Sequence, residues 1–203
     1  ERGLYPYAKF YLRTVEEAQD TYWANHFSTI GLIGTHEALL NLRGTGIDSP
    51  EGKAFAERTL EFMRERLKEY QVETGNLYNL EATPAEGSSY RLARQDRERY
   101  SDIQIHSTDD MPGEEPVYTN STQLPVGAKP DLFDALDHQN ALQTRYTGGT
   151  VFHGWLGERM PSPESTKQLV KTVLIQGTGA RTDVLRDRQP YFYIDTECVL
   201  SMA

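Results

Sequence analysis

The residues best suited to chemistry are concentrated in one stretch, Leu80-Glu81-Ala82-Thr83-Pro84-Ala85-Glu86-Gly87-Ser88-Ser89. Its hydroxyls and open backbone N–H groups are the donor set that holds phosphate oxygens, above all where a strand runs straight into a helix. Thr83 followed by Pro84 and Glu86 reads as a capping box: Thr83 at the cap, Pro84 at the first helical position and Glu86 folding back. Glu86 also cuts against an anion, because a carboxylate in the first turn repels one. Either it serves its own cap or it faces a sugar hydroxyl. A good helix cap and nothing more is the alternative reading of the whole stretch.

Other constellations are weaker. His26, His36, His106, His138 and His153 show no ligand spacing and no cysteines support them, so a metal site is not expected. The acidic run Asp109, Asp110, Glu114 and Glu115 lacks the spaced ligands and central glycine of a calcium loop. There is no Gly-x-Ser-x-Gly elbow, Gly148-Gly149 lacks the Lys-Ser/Thr of a P-loop, and Gly177-Thr178-Gly179 follows a helix instead of a strand. What remains is a set of strand ends: Thr29, Glu81 with Thr83–Ser89, Asn120–Thr122, and His153. Loops after parallel strands share one end of a sheet, so these can converge.

The elements that must position them follow from periodicity and punctuation. Residues 3–23, rich in aromatics, read as a covering segment. His26–Gly34 reads as a buried strand, and Thr35 caps a helix ending at Gly44. After Asp48-Ser49-Pro50, residues 53–72 place Phe55, Met63, Leu67 and Tyr70 at helical spacing. A strand over 77–82 feeds a helix from Pro84 to about Arg99, an exposed loop covers 107–116, and a short strand is expected over 117–119. Asp131 opens a helix carrying Leu132, Phe133, Leu136 and Leu142; a strand over 151–156, a helix from Ser162 to Gly177 and a last strand over 191–194 follow. Such alternation predicts an α/β fold, about five parallel strands with helices outside, either doubly wound or bent into a barrel. The 203 residues read as a single domain, with residues 1–25 covering it, βα units over 26–176, and a last strand and tail over 190–203.

A formal net charge of −9 argues against a DNA-binding surface and against an anionic membrane as partner. No apolar run approaches the roughly 20 residues of a membrane span. One cysteine, Cys198, cannot form an internal disulfide, which suits a reducing, cytoplasmic setting. The start at Glu1 without methionine suggests a piece of a longer chain.

Four motifs in order, His26-Phe27-Ser28-Thr29-Ile30-Gly31, Asn79-Leu80-Glu81-Ala82-Thr83-Pro84-Ala85-Glu86-Gly87, Tyr118-Thr119-Asn120-Ser121-Thr122 and Tyr146-Thr147-Gly148-Gly149-Thr150-Val151-Phe152-His153, closely resemble the catalytic subunit of the class III, anaerobic glycyl-radical ribonucleoside-triphosphate reductases. The resemblance implies half, the second, of a ten-stranded α/β barrel. It implies reduction of the ribose 2′-hydroxyl by a radical mechanism, in the service of deoxyribonucleotide and DNA synthesis. It places Thr83, Ala85, Glu86, Gly87, Ser88, Ser89 and Asn120 at a ribonucleoside triphosphate substrate. It makes Glu81 a catalytic carboxylate near the ribose, hydrogen bonding or exchanging a proton with a hydroxyl; a structural acid paired with a barrel neighbour is the alternative. The thiyl cysteine of the family lies upstream of the matching segment. Its zinc site and glycyl radical, installed by an S-adenosylmethionine/Fe–S activase, lie downstream, so no cofactor is expected within this segment. The implied partners are the remainder of the reductase chain, its activase and a second copy of the full-length chain. Cys198 stands near a family cysteine but outside its context and takes no role. Two functions follow: part of a reductase, inactive alone, or a non-catalytic remnant that binds nucleotides or a protein.

Overall fold

The structure, a computed structural model, describes residues 7–83, 85–105, 115–125, 127–128, 130–153, 162–176 and 191–193. The elements are α1 (Ala8–Tyr11), α2 (Arg13–Gln19), β1 (Phe27–Gly31), α3 (Thr35–Arg43), α4 (Pro50–Thr74), β2 (Leu77–Glu81), α5 (Glu86–Arg99), α6 (Leu132–Gln143), β3 (Val151–His153), α7 (Pro163–Gln176) and β4 (Tyr191–Tyr193).

The longest element shows why these residues fold where they do. Ser49 caps α4, its Oγ accepting from Gly52 N at 3.0 Å, Pro50 opens the first turn, and Gly75 closes the helix in the left-handed region. Ala56, Leu60 and Leu67, spaced on one helical face, are buried against Leu39 of α3, Leu80 of β2 and Leu142 of α6. Phe55 and Met63 flank this core, while Tyr70 lies 38% exposed. The apolar stripe expected from Phe55, Met63, Leu67 and Tyr70 is therefore rotated: Ala56 and Leu60 form its centre. A small alanine allows the close approach that a larger residue would prevent.

β1 and β2 pair in parallel from Phe27↔Leu77 to Gly31↔Glu81, with α3 and α4 forming the crossover between them. β3 and β4 pair in parallel from Val151↔Tyr191 to His153↔Tyr193. Among the described residues the strands thus form two separate parallel pairs, not one five-stranded sheet. The strand expected over 117–119 does not form. Its backbone is used instead to hold the turn after β1, and only an isolated antiparallel bridge, Ile33↔Asn120, remains of it.

Two other expectations differ from the structure. β1 is exposed along its whole length rather than buried, with Phe27 at 57% and Ile30 at 38%, because α4 packs on β2 and leaves β1 uncovered. The aromatic segment covers nothing among the described residues: α1 and α2 contain no buried residue, and Tyr7, Phe10 and Tyr11 are exposed. Residues 106–114, 154–161, 177–190 and 194–203, with the expected ends of the later strands and Cys198, lie outside the described residues. Among the described residues no helix is long and apolar enough to cross a membrane.

Candidate functional site

The carboxyl ends of β1 and β2 lie side by side, Gly31 opposite Glu81. Beyond Glu81 the chain is clasped by the loop that follows α6. Leu80 N donates to Thr147 Oγ1 at 2.9 Å, the N–H groups of Thr147 and Gly148 both donate to Leu80 O, and Ala82 N donates to Gly149 O at 2.9 Å. Gly149 therefore faces the Glu81 carboxylate: a Cβ there would sit 3.7 Å from Glu81 Oε1. Glu81 is half-buried, and none of the described residues donates a hydrogen bond to its carboxylate. Thr83 lies over the end of β1, where a Cβ on Gly31 would approach Thr83 Cβ to 2.9 Å. Only glycine leaves that space open.

The capping box does not form. α5 begins at Glu86, so Thr83 lies outside the helix, packed against Gly31. The cap position falls to Ala85, left-handed at φ 51° and without a side-chain cap bond. The first intrahelical bond is Ser89 N to Ala85 O at 2.7 Å. Ala85 supplies no side-chain cap, and a Cβ added at Gly87 would meet nothing within 4 Å. Gly87 and Ser88 are exposed, whereas Ser89 is buried. Pro84 and the side chain of Glu86 lie outside the described residues.

Asn120 reaches the same end of the sheet through its bridge to Ile33, two residues beyond Gly31. Gly34 N donates to Thr119 O at 2.8 Å and Thr35 N donates to Ser121 O at 3.2 Å. Gly34, left-handed at φ 71°, caps α3 in place of the expected Thr35, whose hydroxyl is buried without a partner. Glu37, 1% exposed, was not among the expected site residues. Its carboxyl group accepts from Thr119 N at 3.1 Å and from Thr119 Oγ1 at 2.6 Å, so a buried acidic side chain shapes the Asn120 loop. An acid on the first turn of α3 is ordinarily solvated, and no local pattern announces this contact.

Two of the histidines bond the backbone of Ile47. Ile47 N donates to His36 Nδ1 at 3.3 Å, and His138 Nε2 bonds Ile47 O at 2.9 Å. Burial is the main force holding the His138 imidazole below its ordinary pKa. His26 stands edge-on to Trp23. His106 and the side chain of His153 lie outside the described residues. Among the described residues no three histidine, cysteine or acidic side chains converge as metal ligands. With one cysteine in the sequence, the residues present do not fit a cysteine-held structural zinc.

A cleft of about 460 Å³ lies elsewhere, between α3, the end of α5 and the segment before Asn120, and is lined by Ile33, Glu37, Asn41, Asp96, Asp102 and Tyr118 among others. Tyr118 donates its hydroxyl to Asp96 Oδ2 at 2.7 Å, and burial, then that carboxylate, pushes its pKa up. None of the expected site residues lines this cleft.

Residues 1–179 match the family model described as anaerobic ribonucleoside-triphosphate reductase. The chain is 26% identical to the anaerobic ribonucleoside-triphosphate reductase of Haemophilus influenzae over 170 residues, which is 83% of this chain and 22% of that protein. It is 28% identical to the Salmonella typhimurium protein of the same name over 130 residues, 62% of this chain and 17% of that one. Among solved structures, an anaerobic ribonucleotide reductase aligns with a TM-score of 0.60 at 27% identity, over 76% of this chain and 24% of the other. The Thermotoga maritima anaerobic ribonucleotide reductase in complex with dATP and CTP aligns with a TM-score of 0.55 at 26% identity, over 74% and 24% of the two chains. The chain thus spans 22% and 17% of the two curated relatives. With most of its length matched by one family model and by relatives of one name, the chain belongs to the anaerobic ribonucleoside-triphosphate reductase family.

Proposed function

We propose that this chain forms part of a ribonucleoside-triphosphate reductase barrel and supplies the side of the substrate pocket that holds the triphosphate. One observation carries the reading: Glu81, Thr83, the first turn of α5 and the Asn120 loop all lie at the carboxyl end of one parallel strand pair. In this reading the N–H groups of Glu86, Gly87 and Ser88 hold phosphate oxygens at the positive end of α5, with the Ser88 and Ser89 hydroxyls beside them. Asn120 binds the nucleoside by hydrogen bonding. Glu81, with no described donor of its own, accepts a ribose hydroxyl proton or returns one. A family glycyl radical, with the activase that installs it, would supply the hydrogen-abstraction chemistry; the residues of this chain bind, orient and exchange protons. Because its sole cysteine, Cys198, has no family context, the chain alone does not reduce nucleotides.

CTP is the probe, one of the two nucleotides in complex with the Thermotoga maritima enzyme. Calorimetric titration of the full chain should show saturable, magnesium-compatible binding that disappears for the nucleoside without phosphates. Anaerobic assay should show no turnover by the chain alone and deoxynucleotide formation when a chain carrying the remaining barrel and the activase are added. Turnover by the isolated chain would overturn the division of labour.

The exposed β1 supports a second reading, a non-catalytic module that uses this strand to bind a protein. CTP binding without any gain of turnover on complementation would favour it.

A further inference from the structure

Tyr146 stands at the root of the Gly148-Gly149 loop, 4% exposed, with its ring in the core beside Leu80 and Leu142. Its hydroxyl is hydrogen-bonded to Ser121 Oγ and, at 2.9 Å, to Thr122 Oγ1, both in buried residues. A phenol can donate to one hydroxyl and accept from the other, so this trio is satisfied internally. Burial raises the Tyr146 pKa and keeps the hydroxyl protonated.

Ser121 is left-handed at φ 46°, a conformation that a residue with a Cβ keeps only where its surroundings hold it. Two contacts hold it: the Tyr146 hydroxyl on its side chain, and Thr35 N on its carbonyl. From α6, Gln139 Nε2 donates to Thr122 O at 3.0 Å, and Gln143 Nε2 supports Gln139 at 2.7 Å. The residues immediately after Tyr146 hold the other side of the site, since Thr147, Gly148 and Gly149 all bond the backbone of Leu80 or Ala82. One side chain therefore ties the loop bearing Asn120 to the loop lying on Glu81.

We propose that Tyr146 is a positioning residue that couples the 120–122 corner to the Gly148-Gly149 loop and so keeps the Asn120 and Glu81 sides of the site in register. This rests on the reading of that edge as a nucleotide site. Coupling by a buried hydroxyl lets two loops from distant parts of the sequence present a preorganised surface, with little left to order when a ligand arrives.

The test uses the full chain as wild type, Tyr146→Phe, Ser121→Ala and the double variant. Phenylalanine keeps the ring in the core and removes only the hydroxyl. In Tyr146→Phe hydrogen exchange should quicken at least about tenfold, one buried hydrogen bond alone giving about that much, at the amides of Gly34, Thr35 and Gln123 and at those of Ala82, Thr147 and Gly148. Amides in the middle of α4 should be unchanged. Affinity for CTP should fall about tenfold in Tyr146→Phe, less in Ser121→Ala, which leaves the bond to Thr122, and no further in the double variant than in Tyr146→Phe, because the phenol carries both bonds. Quickening confined to one loop, or to neither, overturns the coupling, and so does CTP affinity equal to wild type in Tyr146→Phe. If wild type binds no CTP, the nucleotide reading of the edge fails by itself, and the exchange pattern still decides whether Tyr146 couples the loops. Should Tyr146→Phe not fold, Ser121→Ala combined with Thr122→Val removes the same two bonds from the other side and carries both readouts.

Discussion

At the scale of single residues, Glu81 and His138 make opposite uses of a titratable group. Glu81 is half-buried beside Gly149 with no described donor, which suits an acid awaiting a substrate hydroxyl. Glu81→Gln keeps shape and hydrogen bonding but removes the proton acceptor. In the complemented enzyme its turnover should fall at least about 100-fold, while CTP affinity changes by less than about 3-fold. Unchanged turnover would make Glu81 a structural acid. His138 is instead bound at both nitrogens, to Ile47 O at 2.9 Å and to Gln139 Nε2 at 3.1 Å, and faces Lys53, Asp48 and Glu57. Burial, the largest cause, and then Lys53 lower its pKa, against the raising effect of its bond to Ile47 and of the two acids. The unfolded chain therefore binds more protons than the folded one once pH falls below about 6.5, so the stability that His138 permits is intact above that value and declines as pH drops toward 5. Urea midpoints measured from pH 8 to pH 5 should fall across this window, and the fall should be shallower in His138→Gln. The place of Glu81 at the end of a strand was legible from residue order; the buried Glu37 was not, because its partner Thr119 is 82 positions away in the chain.

At the scale of elements, α4 is the frame on which β2 and α6 are hung. Leu60→Ala should cost about 2–5 kcal/mol, since Leu60 is fully buried at the centre of the core. Removing the cap by Ser49→Ala should cost about 1 kcal/mol. Both are read from denaturant midpoints at constant slope. The exposed pair Lys68–Glu65 should contribute little beside these. Both ends of α4 extend beyond the expected 53–72, to the Ser49-Pro50 cap and to Gly75, but its body was readable from its apolar spacing. The start of α5 was not: Thr83 had a sound local role as a cap, and its contact with Gly31 drew it away. The segment 117–119 likewise had strand propensity, but the carbonyls of Thr119 and Ser121 are engaged by the turn into α3. Gly31→Val tests this link. Its branched side chain would meet Thr83, and CTP affinity should fall about tenfold or more if Thr83 must stay where it is.

At the scale of the whole molecule, β1 pairs among the described residues with β2 alone and exposes Phe27 and Ile30. An uncovered strand edge recruits another strand. Sedimentation across a concentration series should show self-association of the full chain, reduced by Ile30→Lys, with the net charge of −9 opposing it at low salt. A monomer at all concentrations would mean that β1 needs no partner.

The sequence by itself determined the α/β class, the order of most elements, the α3–α4 crossover and the four motifs that mark the family, because periodicity, caps and glycines act over a few residues. Only the tertiary structure decided that Ala56 and Leu60 centre the core, that Thr83 leaves the helix cap for Gly31, that Glu37 and Tyr146 hold the Asn120 loop, and that β1 stands exposed. Each of those depends on which distant surfaces meet. A hydroxyl or carboxylate with two reasonable partners goes to the one that packing brings within reach.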